Sequence, residues 1–335
     1  MNWNKGFQAR YYANLVDVRT WRDTQRLEIT GGSIKRSDSN LRTSADIECK
    51  NYPEVTERWI RVWLDARQNG DSVHVPLFTG LVPPPERDIN GRRESNSLEC
   101  YSVLQPANDV LLDRGWYAIA GVSGGEQIRD LLAQTTPAPV ELAEHSPILA
   151  QYVIAEDGES HLSMALKLLT AIGWRLVVTG DGIIQIKPIN KDPVVTFDPL
   201  NNDCIEPKVK ASNDWYSCPN VFRAVIDDMY AIARDDNPDS QLSTVSRGRE
   251  VWAEELDCNL NEDETLAEYA ERMLQQAQQH ALAIQYDRRF HPLVFPSDVI
   301  QLNYPAQKVD GRFYVSSQTI SLGYGARTAE EVVRI

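Results

Sequence analysis

The sequence predicts an α+β chain that is mainly β, in three sections. Three observations predict it. Period-two alternation of apolar and polar residues fills residues 1–110 and returns after residue 201. A helical period replaces it in residues 111–200. One long helical stripe interrupts the last section, 201–335. At 335 residues the chain is long enough for roughly two domains and a sizeable core.

In the first section Arg26–Thr30 alternates, with Leu27 and Ile29 on one face, and Thr43–Cys49 alternates with Ala45, Ile47 and Cys49 on one face. Gly31-Gly32 punctuates these two strands. Trp59–Leu64, rich in aromatic and branched residues, is a third, and Gln68-Asn69-Gly70-Asp71 follows it. Val73–Leu81 and Ser97–Val103 are further strands. Pro83-Pro84-Pro85 marks an edge or exit, because proline donates no ladder hydrogen bond. Asn90-Gly91 is a hairpin turn. Short strands with turn signals describe a compact antiparallel barrel or sandwich.

In the middle section Ser123 and Glu126 fit a capping box ahead of Ile128, Leu131 and Leu132. Ser160 caps a second helix with Leu162, Ala165, Leu166, Leu169 and Ile172 on one stripe and Gly173 at its end. Trp174–Thr179 and Ile183–Lys187 flank Gly180-Asp181-Gly182 as a hairpin. This is a small α/β unit, helices laid on a short sheet. In the last section Asn220–Asp227 is a strand and residues 234–248 form an exposed polar loop with Asp235, Asp236 and Asp239 at its tip. Trp252–Cys258 is mixed. A helix runs from a cap at Asn261, with Glu262, Asp263 and Glu264 in its first turn, to Leu282. Its stripe includes Tyr269, Ala270, Met273 and Leu274 and is expected to pack on a barrel. Asp298–Leu302, Asp310-Gly311, Arg312–Val315 and Gln318–Leu322 read as a hairpin series.

The chain carries 34 Lys and Arg against 48 Asp and Glu, a net charge of -14, which excludes a duplex binder working through a basic face. Residues 1–110 hold 15 basic and 15 acidic residues, while residues 191–335 hold 14 and 24, so the acidity lies late in the chain. Cys49, Cys100, Cys204, Cys218 and Cys258 are odd in number and form no CxxC, so neither zinc nor a disulfide framework is expected. Met1–Gly6 lacks an apolar leader core, and no run is long enough to span a bilayer. The expectation is a chain made and kept in a cytoplasm.

Gly121-Val-Ser-Gly-Gly125 matches the nucleophile elbow GxSxG, with Asp157 and His161, or Asp287 and His291, in triad order. The rival reading is the helix cap already assigned to Ser123. It is preferred, because the elbow needs repeated βαβ units that the β-rich flanks do not supply. Glu156-Asp-Gly-Glu159 and Asp235-Asp236 resemble paired catalytic acids but sit among turn residues. His74, His145, His161, His280 and His291 are isolated, and no metal or phosphate motif occurs. Trp59 and Trp63 share a strand face and are assigned to the core rather than to a sugar surface. No catalytic, cofactor or metal residue is assigned, and no cofactor is expected.

Taken in order, these segments resemble the tail-hub, or baseplate-hub, proteins of long-tailed bacteriophages and phage-like particles. The carriers are Arg26–Lys35 with Thr43–Glu48, Leu77–Leu81, Gly173–Pro188, Pro219–Phe222, the long helix, and Phe295–Leu302 before the final hairpin. The resemblance implies two tube-type antiparallel β-barrel domains, 1–110 and 201–335, with an α/β domain, 111–200, between them. It implies a non-enzymatic structural protein, three copies of which form a ring that adapts a sixfold tail tube to a threefold tip around a DNA channel. Its partners would be the distal tail ring protein and tail tube, the tape-measure protein and a tip or spike protein, with no specific nucleic-acid binding. Its place would be the distal tail tip of the virion, after assembly in the host bacterial cytoplasm. Acidic channel walls would repel DNA rather than hold it. The chain ends at Ile335 without a fibre or peptidase extension, so no cell-wall cleavage or receptor binding is expected of it. The rival classes are a cell-wall hydrolase built on Ser123 and the loop acids, and a carbohydrate-binding tail module built on the aromatic residues.

Overall fold

The computed structural model describes the chain except residues 40, 51–55, 85, 91–92, 200–208, 214–215, 257, 259, 261–263, 281 and 308; for residues 86–90, 93–96, 211–213, 279–280 and 282 it describes the backbone alone. The first section holds β1 (Gln8–Asp17), β2 (Arg22–Ser37), β3 (Thr43–Lys50), β4 (Arg58–Gln68), β5 (Asp71–Val82), β6 (Glu86–Asn90) and β7 (Arg93–Ser102). β1 pairs with β2 and β4, β4 with β5, β5 with β7, β7 with β3 and β3 with β2, all antiparallel. Six strands therefore close into a ring. Alternation decides what fills it: in β3 Thr43, Ala45, Ile47 and Cys49 are buried while Ser44, Asp46, Glu48 and Lys50 are exposed. Ile60, Val62, Leu64, Leu77, Phe78 and Leu98 join the same core, each large side chain contributing about 1.5–3 kcal/mol by leaving water.

Gly31-Gly32 does not separate two strands as the sequence suggests. β2 runs through both glycines for 16 residues, and its register against β3 slips between Ile29 and Gly31. Gly32 has φ 133°, and a Cβ there would lie 2.3 Å from the Asp46 carbonyl oxygen. The pair bends the strand instead of ending it. The hairpin between β6 and β7 is present, with Asn90 opposite Arg93, while Gly91 lies outside the described residues.

The middle section holds α1 (Gln105–Asp109), β8 (Tyr117–Ala118), α2 (Gly124–Ala133), β9 (Val140–Leu142), β10 (Val153–Ile154), α3 (His161–Ala171), β11 (Trp174–Val178) and β12 (Ile184–Pro188). The sheet runs β11–β12–β9, with β9 parallel to β12. Ile128, Leu131 and Leu132 of α2 and Leu162, Ala165 and Leu169 of α3 share a core with Leu176, Ile184 and Ile186. Ser160 Oγ accepts from Ser163 N at 3.1 Å, and Gly173 has φ 65°, so both ends of α3 are where the sequence places them.

The last section holds β13 (Thr196–Phe197), β14 (Lys210–Asn213), β15 (Val221–Ile226), β16 (Met229–Arg234), α4 (Thr244–Arg247), β17 (Trp252–Leu256), α5 (Leu266–His280), β18 (Leu282–Arg289), β19 (Val299–Tyr304), β20 (Val309–Ser321) and β21 (Arg327–Arg334). The order β13–β19–β20–β21–β18–β14 is antiparallel except for β13 with β19. Its core is Phe197, Tyr286, Ile300, Leu302, Phe313, Val315 and Val332. Ser33–Ser37 of β2 pair with Ser317–Ser321 of β20, so this set and the first ring share one continuous sheet.

Several expectations for this section change. Arg312–Val315 and Gln318–Leu322 are not two hairpin strands. β20 is one 13-residue strand kinked by a register shift between Val315 and Ser317, and Asp310-Gly311 pairs within it. Leu282 belongs to β18, because α5 ends at His280. The cap expected at Asn261 lies outside the described residues. Thr265 and Glu268 form a reciprocal capping box: Thr265 Oγ1 accepts from Glu268 N at 3.3 Å, and Thr265 N donates to Glu268 Oε2 at 2.8 Å. The α5 stripe packs on a separate sheet, β16–β15–β17, not on the larger strand set: Tyr269, Ala270 and Leu274 meet Phe222, Ala224 and Ala233. The polar stretch 234–248 contains α4 and closes over buried Asn220, whose Nδ2 donates to the Leu242 and Arg249 carbonyls.

Candidate functional site

Ser123 stands at the N-terminus of α2, and its Oγ accepts from Glu126 N at 3.3 Å. The other free donors of that turn are used too: Gly125 N donates to Ser146 Oγ at 2.7 Å and Gly124 N to the Pro147 carbonyl at 2.8 Å. A Cβ on Gly124 would lie 2.5 Å from Ile172, and one on Gly125 2.4 Å from Ser146 Oγ. Close packing therefore accounts for the glycines of the GxSxG match. His161 is buried with Nδ1 3.0 Å from the Val110 carbonyl, and Asp157 lies 4.0 Å from Arg114. Asp287 pairs with Arg327 at 2.5 Å, and burial beside Arg288 pushes His291 down to about 4. Each candidate triad member thus has separate partners. Ser123→Ala is expected to cost about 1 kcal/mol in urea unfolding, as for a lost cap. A variant that keeps its midpoint would show that the hydroxyl does not hold the helix.

The loop acids are also occupied. Glu159, buried, accepts from Glu156 N, Ser163 Oγ and Lys167 Nζ at 2.8–3.0 Å. Burial alone would raise its carboxyl, but those hydrogen bonds and the Lys167 charge hold it below the ordinary value. Asp235 accepts from Ser240 Oγ at 2.6 Å and Gln278 Nε2 at 3.1 Å, so it ties the loop to α5. His74 and His145 are exposed, His280 is the last residue of α5, and Cys49, Cys100, Cys218 and Cys258 are buried. Cys204 lies outside the described residues.

Trp59 and Trp63 do share a face of β4, but it is the outer face of the ring. Trp59 is buried against Trp21 and the middle section, whereas Trp63 is half-buried, stacks on Tyr12 and donates its indole N–H to Asp23 at 2.7 Å. Between them Arg61, buried, donates to Asp23 Oδ1 at 2.6 Å, Thr79 Oγ1 at 3.0 Å and the Asp181 carbonyl at 3.0 Å. Trp21 Nε1 donates to the same Asp181 carbonyl, and Thr79 Oγ1 donates to the Gly180 carbonyl at 2.9 Å. The Gly180-Asp181-Gly182 hairpin is therefore the peg by which the middle unit seats on the ring. A Cβ on Gly180 would lie 1.9 Å from the Pro76 carbonyl oxygen. Gly180→Ala is expected to lower stability by about 1–3 kcal/mol, measured by denaturant midpoint. An unchanged midpoint would mean that the peg is not seated.

A second junction joins all three sections. Arg175 of β11 donates to Asp298 at 2.7 Å and to the Ser297 carbonyl, Arg36 of β2 donates to the Leu77 carbonyl at 2.6 Å, and its guanidinium lies over the Phe295 ring. Burial, with Arg288 nearby, pushes Arg36 down to about 10. Sequence reasoning missed these residues, and Arg288 with Glu330. The available signal was an opposite charge set in the apolar phase of each strand, as in Ile284-Tyr286-Arg288-Phe290 and Thr328-Glu330-Val332.

Two open faces are apolar. On β8, β10 and the loop before β10, Tyr117, Ile148, Tyr152 and Ile154 are 51–69% exposed. On the side of β16–β15–β17 away from α5, Tyr230, Ile232, Trp252 and Leu256 are 44–68% exposed. Patches of this kind mark interaction surfaces. Among the described residues no cluster of His, Cys, Asp and Glu suits a metal ion, and no helix is long and apolar enough to cross a membrane.

No protein-family model and no curated protein matches the sequence. Solved structures do. The 43 kDa tail protein of prophage MuSo2 from Shewanella oneidensis superposes with a TM-score of 0.69 at 16% identity, covering 97% of this chain and 98% of that one. A tail protein from Neisseria meningitidis MC58 gives 0.71 at 13% identity, with 97% and 96% covered. The Escherichia coli c3393 protein, described as a type VI secretion component structurally similar to the T4 tail proteins gp27 and gp5, gives 0.52 at 11% identity, with 96% and 76% covered. At such identities the likeness is one of architecture, and over nearly its whole length this chain has the fold of the phage tail proteins.

Proposed function

We propose that the chain is a structural tail-tip hub, three copies of which form a ring that adapts a sixfold tail tube to a threefold tip and leaves a channel for DNA. One observation carries the reading. A closed six-strand ring and a second six-strand set lie side by side in one chain, fused through β2 and β20. Three such chains present six strand units in a circle. A closed ring of this kind uses head-to-tail contacts between unlike surfaces, and the two apolar faces lie on different sections of the chain. The fold shared with tail proteins and with a chain described as gp27-like supports the same place, at the distal tail beside a tube-side ring, a tape-measure protein and a tip or spike protein. The reading is non-enzymatic: Ser123, His161 and Glu159 are all engaged in holding the middle unit together. Native mass spectrometry of the purified chain tests it. A species of three times the chain mass is expected, and a monomer at all concentrations rules the ring out.

A further inference from the structure

We propose that a small cavity where the three sections of the chain meet binds one monatomic anion, of the size of chloride, and that this ion closes the joint between them. The cavity has a volume of about 10 Å³. Arg36 and Arg42 of the first section, Val177 of β11, and Phe295 and Ser297 of the last section stand on its walls. It has room for one particle the size of a water molecule or a halide and too little for phosphate or sulfate.

Two unused donors belong to this space. Arg36 Nη1 and Arg42 Nε are buried and, among the described residues, meet no acceptor. Arg36 is 3% exposed, its Nη2 donates to the Leu77 carbonyl at 2.6 Å, and its guanidinium lies 4.8 Å from the centre of the Phe295 ring. The guanidinium is therefore held in place, with one donor left over on the cavity side. A buried donor without an acceptor is costly, and folded proteins meet such groups with an ordered water or an ion.

Charge decides between the two. Four arginines gather around the joint: Arg36, Arg42, Arg175 and Arg288. Arg175 pairs with Asp298 at 2.7 Å, Arg288 pairs with Glu330 at 2.5 Å, and Asp38 supports the charge on Arg42. Arg36 has, among the described residues, no carboxylate of its own, and the charged group that acts on it is Arg288, of like sign. Lys187, between Arg175 and Asp298, adds one more positive charge. Burial pushes Arg36 down to only about 10, so it stays protonated at neutral pH. A water would accept the two hydrogen bonds and leave the buried charge uncompensated, whereas an anion accepts both and neutralises it. The ion also has a way in. An open depression of about 240 Å³ shares Ser37, Arg42 and Thr43 with the cavity, so solvent reaches the site past Arg42.

Urea unfolding of the full chain in sodium chloride and in sodium gluconate, at equal ionic strength, tests the assignment. The folding equilibrium constant is expected to rise about tenfold for each tenfold rise in chloride above its dissociation constant, because only the folded chain holds the ion. Sodium bromide should act as chloride does and gluconate should not. In Arg36→Met the chloride and gluconate midpoints should coincide. Equal midpoints in the two salts for the native chain, or an undiminished chloride effect in Arg36→Met, overturn the site. Crystals of the native chain grown in sodium bromide give a reading that does not depend on the variant folding. An anomalous peak in contact with Arg36 Nη1 is expected, and an ordered water there without anomalous signal overturns the proposal.

Discussion

Arg288→Ala is expected to destabilise the protein by about 3–5 kcal/mol, the cost of leaving a buried carboxylate without its partner. Arg288 Nη2 lies 2.5 Å from Glu330 Oε1, with the two side chains 1% and 0% exposed. Glu330 also accepts from Tyr286 Oη at 2.5 Å and Gln318 Nε2 at 2.7 Å. Losing both charges is less harmful than losing one, so Arg288→Met with Glu330→Leu should recover much of the loss. Urea unfolding of the single and double variants measures this. A loss below about 1 kcal/mol for Arg288→Ala would show that water reaches the pair. The same group sets a pH limb. Burial alone pushes the Glu330 carboxyl up, but the Arg288 charge and the hydrogen bonds from Arg288, Tyr286 and Gln318 outweigh it and hold the carboxyl below its ordinary value. Its contribution is therefore complete above the unfolded carboxylate range and is lost as pH falls through the depressed native value. Glu330→Gln should flatten that acid limb while lowering stability at neutral pH.

Leu274→Asp is expected to unfold the β16–β15–β17 unit outright. Leu274 is 5% exposed and packs with Tyr269, Ala270 and Phe222 under α5. An aspartate there either carries its charge into an apolar core or takes up a proton, and both cost several kcal/mol. Leu274→Ala, which leaves only a cavity, should cost about 2–5 kcal/mol and gives the graded comparison. Limited proteolysis and circular dichroism distinguish the two. A Leu274→Asp chain that assembles with an unchanged midpoint would place the α5 stripe in solvent.

Both sites show how far local pattern reaches. The α5 stripe was legible because apolar residues three and four apart can share only one helix face. The capping box Thr265-Leu-Ala-Glu268 was passed over, because Asn261 and the acids after it compete for the same role. Arg288 and Glu330 were invisible as a pair. They are 42 residues apart in sequence, and only the pairing of β18 with β21 brings them together. In the middle section Ser123, Ser160, Gly173 and the 180–182 turn were legible for the opposite reason. A cap or a tight turn is settled by backbone groups within four residues of it.

Local patterning alone therefore set the alternation in strands such as β3, the helices with their stripes and most of their caps, the turn at Gly180-Asp181-Gly182, and the acidic balance of the chain. Where those elements join is settled only by the folded chain. Gly31-Gly32 reads locally as a break, yet β2 continues through it, because its second half finds hydrogen-bond partners on β20 almost 300 residues away. β1 and β21 escaped notice as well: each pairs with its sequence neighbour on one side and with a strand from another part of the chain on the other. Backbone N–H and C=O groups are the same at every residue and so carry no address. Register and neighbour are selected only when a whole face is buried at once, and that happens in three dimensions.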